Sequence, residues 1–258
     1  MCAIRNAYIM EGLGDVFKDM PRLKLTLRGI RKVHSSVTRP RTPLTADKLN
    51  VIGKRLQRGL WGVYLDKFVW AVLCVAFFGA LRCGEFTCRT NFDKSSDLCR
   101  GDITFEKDKK LQRVYVALTL KTSKTDPFRK GCTILLFQTD ELLCPVNALQ
   151  EYLKVRGTCE LDSPLFADRD GTPLRRDRFI TLLNDTLQAV GLNDISVTGH
   201  SLRRGFATSA SAAKVPDNLI STMGRWRSDC YKLYIDTPMS TVAAAHKSLA
   251  DPELSESL

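Results

Sequence analysis

A chain of 258 residues, 44% hydrophobic and 26% charged, can bury one sizeable core or two modest ones, and its composition is that of a globular protein rather than a disordered one. Its formal net charge of +11, from 39 Lys and Arg against 28 Asp and Glu, points to a polyanionic partner. Nucleic acid is favoured over an anionic membrane, because no basic amphipathic stretch stands out. The longest uncharged run, Phe68 to Leu81, has 14 residues, too few to span a bilayer and enough for a buried helix. The N-terminus carries no basic-then-apolar signal pattern. Nine cysteines occur without a C-x-x-C pair, and Cys83, Cys88 and Cys99 have no nearby His. They read as reduced thiols of a cytosolic or nuclear protein, not as a zinc site or a disulfide framework.

Along the chain, residues 1 to 43 are the most basic part, with nine Lys and Arg against Glu11, Asp15 and Asp19. Gly12 to Lys32 has apolar positions spaced for one helical face, and Ser35 to Pro43 has linker composition, with Pro40 and Pro43 stopping any helix. A domain boundary is expected there. Thr45-Ala46-Asp47 opens a helix running towards Leu60, and Tyr64 to Leu81 forms a second, largely buried one. Arg82 and Glu85 emerge directly from that apolar run, which is costly unless the charges are paired or used. From Arg113 the period changes to alternation: two runs, R-V-Y-V-A-L-T-L-K and C-T-I-L-L-F, flank T-S-K-T-D-P-F-R-K-G, predicting a hairpin that turns at Asp126-Pro127. Pro145 to Arg156 and Arg178 to Val190 read as amphipathic helices, with a turn-rich loop over Phe166 to Gly171. The acidic end, Asp251 to Leu258, reads as a mobile tail. The order predicts a mainly α fold with a small antiparallel β-hairpin or sheet, an α+β arrangement.

The window from Thr198 to Asp236 concentrates chemistry. His200 and Arg203 lie three apart, so a helix over Ser201 to Ala213 places both on one face near its N-terminus, where anions are favoured. An isolated H-x-x-R is most often a surface pair. Here Met223-Gly224-Arg225-Trp226 follows, and Tyr234 lies ten residues after Gly224.

This window resembles the C-terminal motif of the tyrosine recombinases, the phage integrase family, whose pattern reads H-x-L-R-H/R-x-F-A-T, then G-H or G-W, then the nucleophilic Tyr. His200 to Thr208, Gly224-Arg225-Trp226 and Tyr234 fall on it. The family's first-Arg box, A-L-R-x-G-E, matches Ala80 to Glu85, and its Lys box, S-K-T, matches Ser123-Lys124-Thr125. The G-R-W form is similar to recombinases of eukaryotic mobile elements of the Crypton and DIRS types. The resemblance implies a catalytic domain over residues 44–240, preceded in 1–43 by the remnant of an N-terminal helical core-binding domain plus linker, and followed by a tail over 241–258. In the family the N-terminal domain closes a clamp around DNA and is longer than residues 1–43.

The implied chemistry is breakage and rejoining of double-stranded DNA through a 3′-phosphotyrosyl intermediate, with no metal, no ATP and no other cofactor. A phosphodiester under attack becomes a crowded dianion, and guanidinium forks from Arg82 and Arg203 suit its non-bridging oxygens. His200, with an ordinary pKa of about 6.5, would hydrogen-bond the phosphate or take the nucleophile's proton. Tyr234 would attack, its phenol helped to ionise by the cationic surroundings, and Lys124 would protonate the leaving 5′-oxygen. Lys121 and Tyr231 are the rivals of these last two. Trp226 would offer its indole N–H to the phosphate, the alternative being a tryptophan packed in the core. Glu85 would orient Arg82, Arg204 would position DNA, and Arg225 stands where many members have His. The implied assembly is a homotetramer on paired DNA sites, away from membranes, in the nucleus if the source is eukaryotic and otherwise in the cytoplasm. Two other readings stay open: a catalytically silent DNA-binding protein derived from such a recombinase, and a type IB topoisomerase-like enzyme.

Overall fold

The computed structural model describes residues 2–33, 42–89, 91–122, 130–226, 229–235, 242–243 and 246, without the side chains of residues 2, 31 and 230. The turn around Asp126-Pro127, Lys124 with its S-K-T box, most of the linker and the acidic tail lie outside the described residues. The chain forms two compact units, Met1–Pro40 and Arg41–Leu258.

The first unit holds α1 (Cys2–Met10) and α2 (Pro21–Val33). The single helix expected over Gly12 to Lys32 is therefore shorter, and α1 was not foreseen. Gly12 and Gly14 take positive φ values of 72° and 76°, which ends α1, and Pro21 occupies the first helical position, where its missing N–H and fixed φ favour a start rather than an interior.

The second unit begins with α3 (Ala46–Gln57) and α4 (Val63–Phe78). Thr45 sits at the N-cap of α3 but makes no side-chain capping bond; the helix stops short of Leu60, near Gly59 with φ 83°. At the start of α4 the buried Asp66 carboxylate accepts from the backbone N–H groups of Leu60, Trp61 and Gly62, satisfying orphan donors and matching the positive end of the helix dipole. At its other end α4 closes three residues before the expected Leu81. The Ala80 N–H donates to the Phe77 carbonyl and the Leu81 N–H to that of Ala76, with Ala80 at φ 43°. This turn reverses the chain, buries Leu81 and brings Arg82 out at the lip of the core.

After the single-turn α5 (Cys83–Phe86), the strands β1 (Ile103–Lys107), β2 (Val114–Leu120) and β3 (Cys132–Phe137) form an antiparallel sheet in the order β1-β2-β3. The expected hairpin is β2 and β3, with Val116 opposite Leu136. The extra strand β1, I-T-F-E-K, is short and ends in two charged residues, and it becomes a strand by pairing Phe105 with Val116 rather than by its own pattern. Val116, Leu118 and Leu120 alternate inward.

The helices α6 (Pro145–Arg156), α7 (Arg176–Ala189), α8 (Ser201–Ala212) and α9 (Asp217–Gly224) follow, and a 3-10 turn spans Asp229–Tyr234. α4, apolar throughout from Phe68 onward, is the central element, packed against α6 and α8. The start of α8 is fixed by the Leu44 N–H donating to the Ser201 carbonyl, an approach that needs glycine at 205: a Cβ there would lie 1.7 Å from the Leu44 carbonyl oxygen. The mainly α architecture with a small antiparallel sheet agrees with the sequence reading.

Candidate active site

The site is assembled on the turn that ends α4. Arg82 is the N-cap of α5: its N–H donates to Glu85 Oε2 at 2.9 Å, the Glu85 N–H donates to the Arg82 carbonyl at 2.8 Å, and Arg82 Nη1 donates to Glu85 Oε1 at 2.8 Å. Glu85 reaching back to the Arg82 N–H is the second half of a capping box; the first half is replaced, because a guanidinium cannot accept, by the Arg82 carbonyl taking the Glu85 N–H. The second oxygen of Glu85 takes another cation, Arg225, whose Nη2 lies 2.8 Å from Oε2 while its Nη1 donates to the Gly79 carbonyl at 2.8 Å. The Glu85 side chain is 4% exposed and those of Arg82 and Arg225 are 19% and 18%, so one carboxylate bridges two guanidiniums in a partly desolvated place. The charges that emerge from the apolar run are thus paired. The partner of Glu85 that sequence reasoning missed is Arg225, 140 residues away.

Arg203 completes the cluster from behind. One terminal nitrogen donates to the Ala80 carbonyl, the other to the Gly224 carbonyl at 2.6 Å, and the guanidinium lies 4.2 Å from the Trp226 ring centroid. The residue is 1% exposed. Desolvation, then the neighbouring charges of Arg82 and Arg225, push its pKa down to about 10, opposed by Glu85 and Tyr234. The sequence reading puts the side chains of His200 and Arg203 on one face; in the structure they differ in burial. Arg203 turns into the protein, whereas His200 is the exposed N-cap of α8, with its ring 6.4 Å from that of Tyr234. Arg204, next on α8, is half-buried.

Trp226 is buried, and its ring lies 5.8 Å from Tyr231, 5.9 Å from Tyr234 and 6.5 Å from Phe206. It is the plate on which Arg203 rests. Gly224 makes room for it, since a Cβ at that position would fall 1.7 Å from the indole. Between them Arg225 adopts the left-handed region, φ 56° and ψ 40°, as the C-cap of α9.

The two candidate nucleophiles differ in surroundings. Tyr231 is 3% exposed, and burial, then the Asp217 carboxylate, raise its phenol pKa above the ordinary value. Tyr234 is partly exposed at the end of the 3-10 turn, its carbonyl accepting from Thr208 Oγ1 at 3.0 Å, close enough to Arg203 for the two groups to interact electrostatically. The rival lysine, Lys121, is committed at the end of β2: its ammonium lies 2.6 Å from the Asp102 carboxylate and donates to the carbonyls of Lys94 and Asp97 and to Cys99 Sγ. Burial alone would lower its pKa, but the bonds to Asp102 and Cys99 carry it above the usual value. Lys124 lies outside the described residues.

Among the described residues no group of three or more His, Cys, Asp or Glu is placed to hold a metal, and no helix is long and apolar enough to cross a membrane. Cys74, Cys83, Cys88, Cys99, Cys132, Cys144 and Cys159 are free thiols.

No protein-family model matches the sequence, and no curated protein matches it. Solved structures do. The crystal structure of XerA recombinase superimposes with a TM-score of 0.57 at 17% identity, over 85% of this chain and 67% of that one. XerH site-specific recombinase bound to palindromic difH substrate, a post-cleavage complex, gives 0.57 at 15% identity, over 85% and 56%. Its pre-cleavage complex with difH gives 0.55 at 17%, over 78% and 52%. The chain thus spans about half the length of XerH. A mostly helical body on a buried central helix, with a three-stranded antiparallel sheet to one side, is in this chain the fold of a tyrosine recombinase catalytic domain.

Proposed function

We propose that the chain is a DNA strand-exchange enzyme that breaks and rejoins double-stranded DNA through a covalent bond to Tyr234. The observation that carries this reading is the gathering of three guanidiniums, those of Arg82, Arg203 and Arg225, about the single carboxylate of Glu85, beside the phenol of Tyr234. Such a cluster keeps an excess of positive charge in a partly desolvated place, which suits a phosphodiester whose negative charge grows during attack.

In this reading the Tyr234 oxygen attacks the scissile phosphorus as the bond to the 5′-oxygen breaks. His200, 6.4 Å away ring to ring, takes the phenol proton or holds a phosphate oxygen. Arg82 faces the phosphate, while Arg203, 4.2 Å from the Trp226 ring centroid, contributes its charge from within the fold. Trp226 thereby acts through Arg203. Lys124, by its place in the S-K-T box, gives a proton to the departing 5′-oxygen. The phosphotyrosyl bond conserves the energy of the broken one, so a free 5′-hydroxyl reverses the step without ATP. Glu85 orients Arg82, and Arg204 and the other basic residues meet the DNA backbone. The same resemblance supports a homotetramer on paired sites, an origin in a Crypton- or DIRS-type mobile element and a nuclear location. XerH was solved bound to its difH substrate.

The test is a pool of duplexes nicked beside randomised scissile positions, so that cleavage releases a short end and strands the covalent complex. The wild-type protein is expected to yield a denaturant-resistant protein–DNA adduct that Tyr234→Phe does not form; equal trapping by both proteins sinks the reading. The inward fork of Arg203 favours a second reading, a DNA-binding protein without turnover. Salt-dependent binding with no adduct is its signature, whereas relaxation of any supercoiled plasmid marks a topoisomerase-like enzyme.

A further inference from the structure

Arg82 is tied to the segment that leads to Tyr234 by two routes that converge on one turn. Arg225 Nη1 holds the carbonyl of Gly79 and Arg203 that of Ala80, the two residues preceding Leu81-Arg82. Arg203 also holds the Gly224 carbonyl, next to Arg225. Meanwhile Glu85 has Arg82 Nη1 on Oε1, and Arg225 Nη2 and the Arg82 N–H on Oε2. A carboxylate held at both oxygens cannot swing, so the guanidinium of Arg82 inherits a fixed direction from Arg225.

Two details make this more than an incidental ion pair. Arg225 occupies the left-handed region at φ 56°, where an L-residue is strained and Gly or Asn is the economical choice; the side chain is what justifies an arginine there. Reaching Gly79 O and Glu85 Oε2 at once also needs a planar fork, which lysine lacks.

We propose that Arg225 is a positioning residue for Arg82, acting through Glu85, so that the phosphate-facing guanidinium is aimed only when the segment leading to Tyr234 is docked. This rests on the reading of the site as a phosphodiester-cleaving centre. Arg225→Ala is expected to slow adduct formation on the nicked duplex about 100-fold, the order found when a reacting group is misplaced by about 1 Å, with DNA affinity within about twofold of wild type because one of many basic groups is lost. Arg225→Lys restores the charge and the melting temperature but not the rate. The double variant Arg82→Ala/Arg225→Ala is no slower than Arg82→Ala alone, and a methylphosphonate at the scissile position, which removes one negative charge, narrows the deficits of Arg82→Ala and Arg225→Ala alike. Additive losses in the double variant, or full recovery of rate by lysine, overturn the proposal. A readout without cleavage separates it from the parent reading: in side-chain NMR the Arg82 Nη1 protons, bonded to Glu85, are expected to be slowly exchanging in the wild type and averaged in Arg225→Ala and Arg225→Lys. An unchanged resonance overturns the positioning role even where no adduct forms with any substrate.

Discussion

Replacing Glu85 by glutamine keeps its shape and removes its charge, and the consequence can be worked from the cluster. Glu85 meets Arg82 through Oε1 and Arg225 through Oε2, each at 2.8 Å, and its charge supports the protonated form of Arg203. In Glu85→Gln one end of the amide presents N–H groups to an arginine that has only N–H groups to offer, and three guanidiniums lose their common counter-ion. Breaking a fully buried pair typically costs 3–5 kcal/mol; with the arginines near one-fifth exposed, about 3 kcal/mol is expected. For a unit the size of Arg41–Leu258 that is a fall in melting temperature of about 6–12 °C. The assay is thermal unfolding by circular dichroism with and without sulfate, which restores a negative charge and is expected to recover part of the loss in the variant and less in the wild type. Glu106→Gln, on the exposed rim of the sheet, serves as control and should stay within about 0.5 kcal/mol. A Glu85→Gln protein melting within 2 °C of wild type, with no differential response to sulfate, would refute the reasoning that the cluster is an excess of positive charge held by one carboxylate.

Gly205→Ala drives a Cβ into the Leu44 carbonyl, backbone against backbone, and is expected to cost about 3 kcal/mol or more by urea unfolding, because neither partner is a flexible side-chain end. Tyr231→Phe should still form the covalent adduct and lose only about 1 kcal/mol in the same measurement, since it keeps the packed ring and gives up the hydroxyl's bond to Asp217, whereas Tyr234→Phe forms none. Lys121→Met removes the partner of the Asp102 carboxylate and is expected to destabilise by about 2 kcal/mol while keeping adduct formation; Lys124→Ala shows the reverse, near-native melting with lost cleavage.

What the sequence disclosed and what it hid divide along a physical line. α6 was readable at both ends because Pro145 starts it and Gly157, at φ 79°, stops it. α4 was readable as a buried helix from its unbroken apolar run, but not its last turn, since Gly79-Ala80 ends the helix through backbone geometry that an alanine at positive φ does not advertise. β1 stayed hidden because it is a strand only by virtue of β2. In the site, the order of Arg82, His200, Arg203 and Tyr234 was visible as motif. Their orientations were not. A three-residue spacing says that His200 and Arg203 share a helical face, not that one of them turns inwards onto the Ala80 and Gly224 carbonyls. The pairing of Arg225 with Glu85 is a contact between distant segments, and no local pattern signals it. Its one trace in the sequence is an arginine where the family commonly has histidine, beside a tryptophan that needs Gly224 to fit.

The inward position of Arg203 bears on how such a site is built before DNA arrives. A cation whose pKa falls from the usual arginine value to about 10 on folding has its charged form disfavoured in the native state. Between pH 10 and that usual value the unfolded chain holds a proton the folded chain has released, so stability rises with pH through that window. At neutral pH the full penalty is present. Two carbonyls and the face of Trp226 make it tolerable, and the repulsion from Arg82 and Arg225 remains. On the proposed reading, a phosphodiester before Arg82 would supply negative charge that the cluster lacks and would offset the repulsion among Arg82, Arg203 and Arg225. The contact that stabilises the reacting phosphate would then also relieve the fold, and the relief would grow with the negative charge of the phosphate, which is the direction that favours a transition state over its ground state.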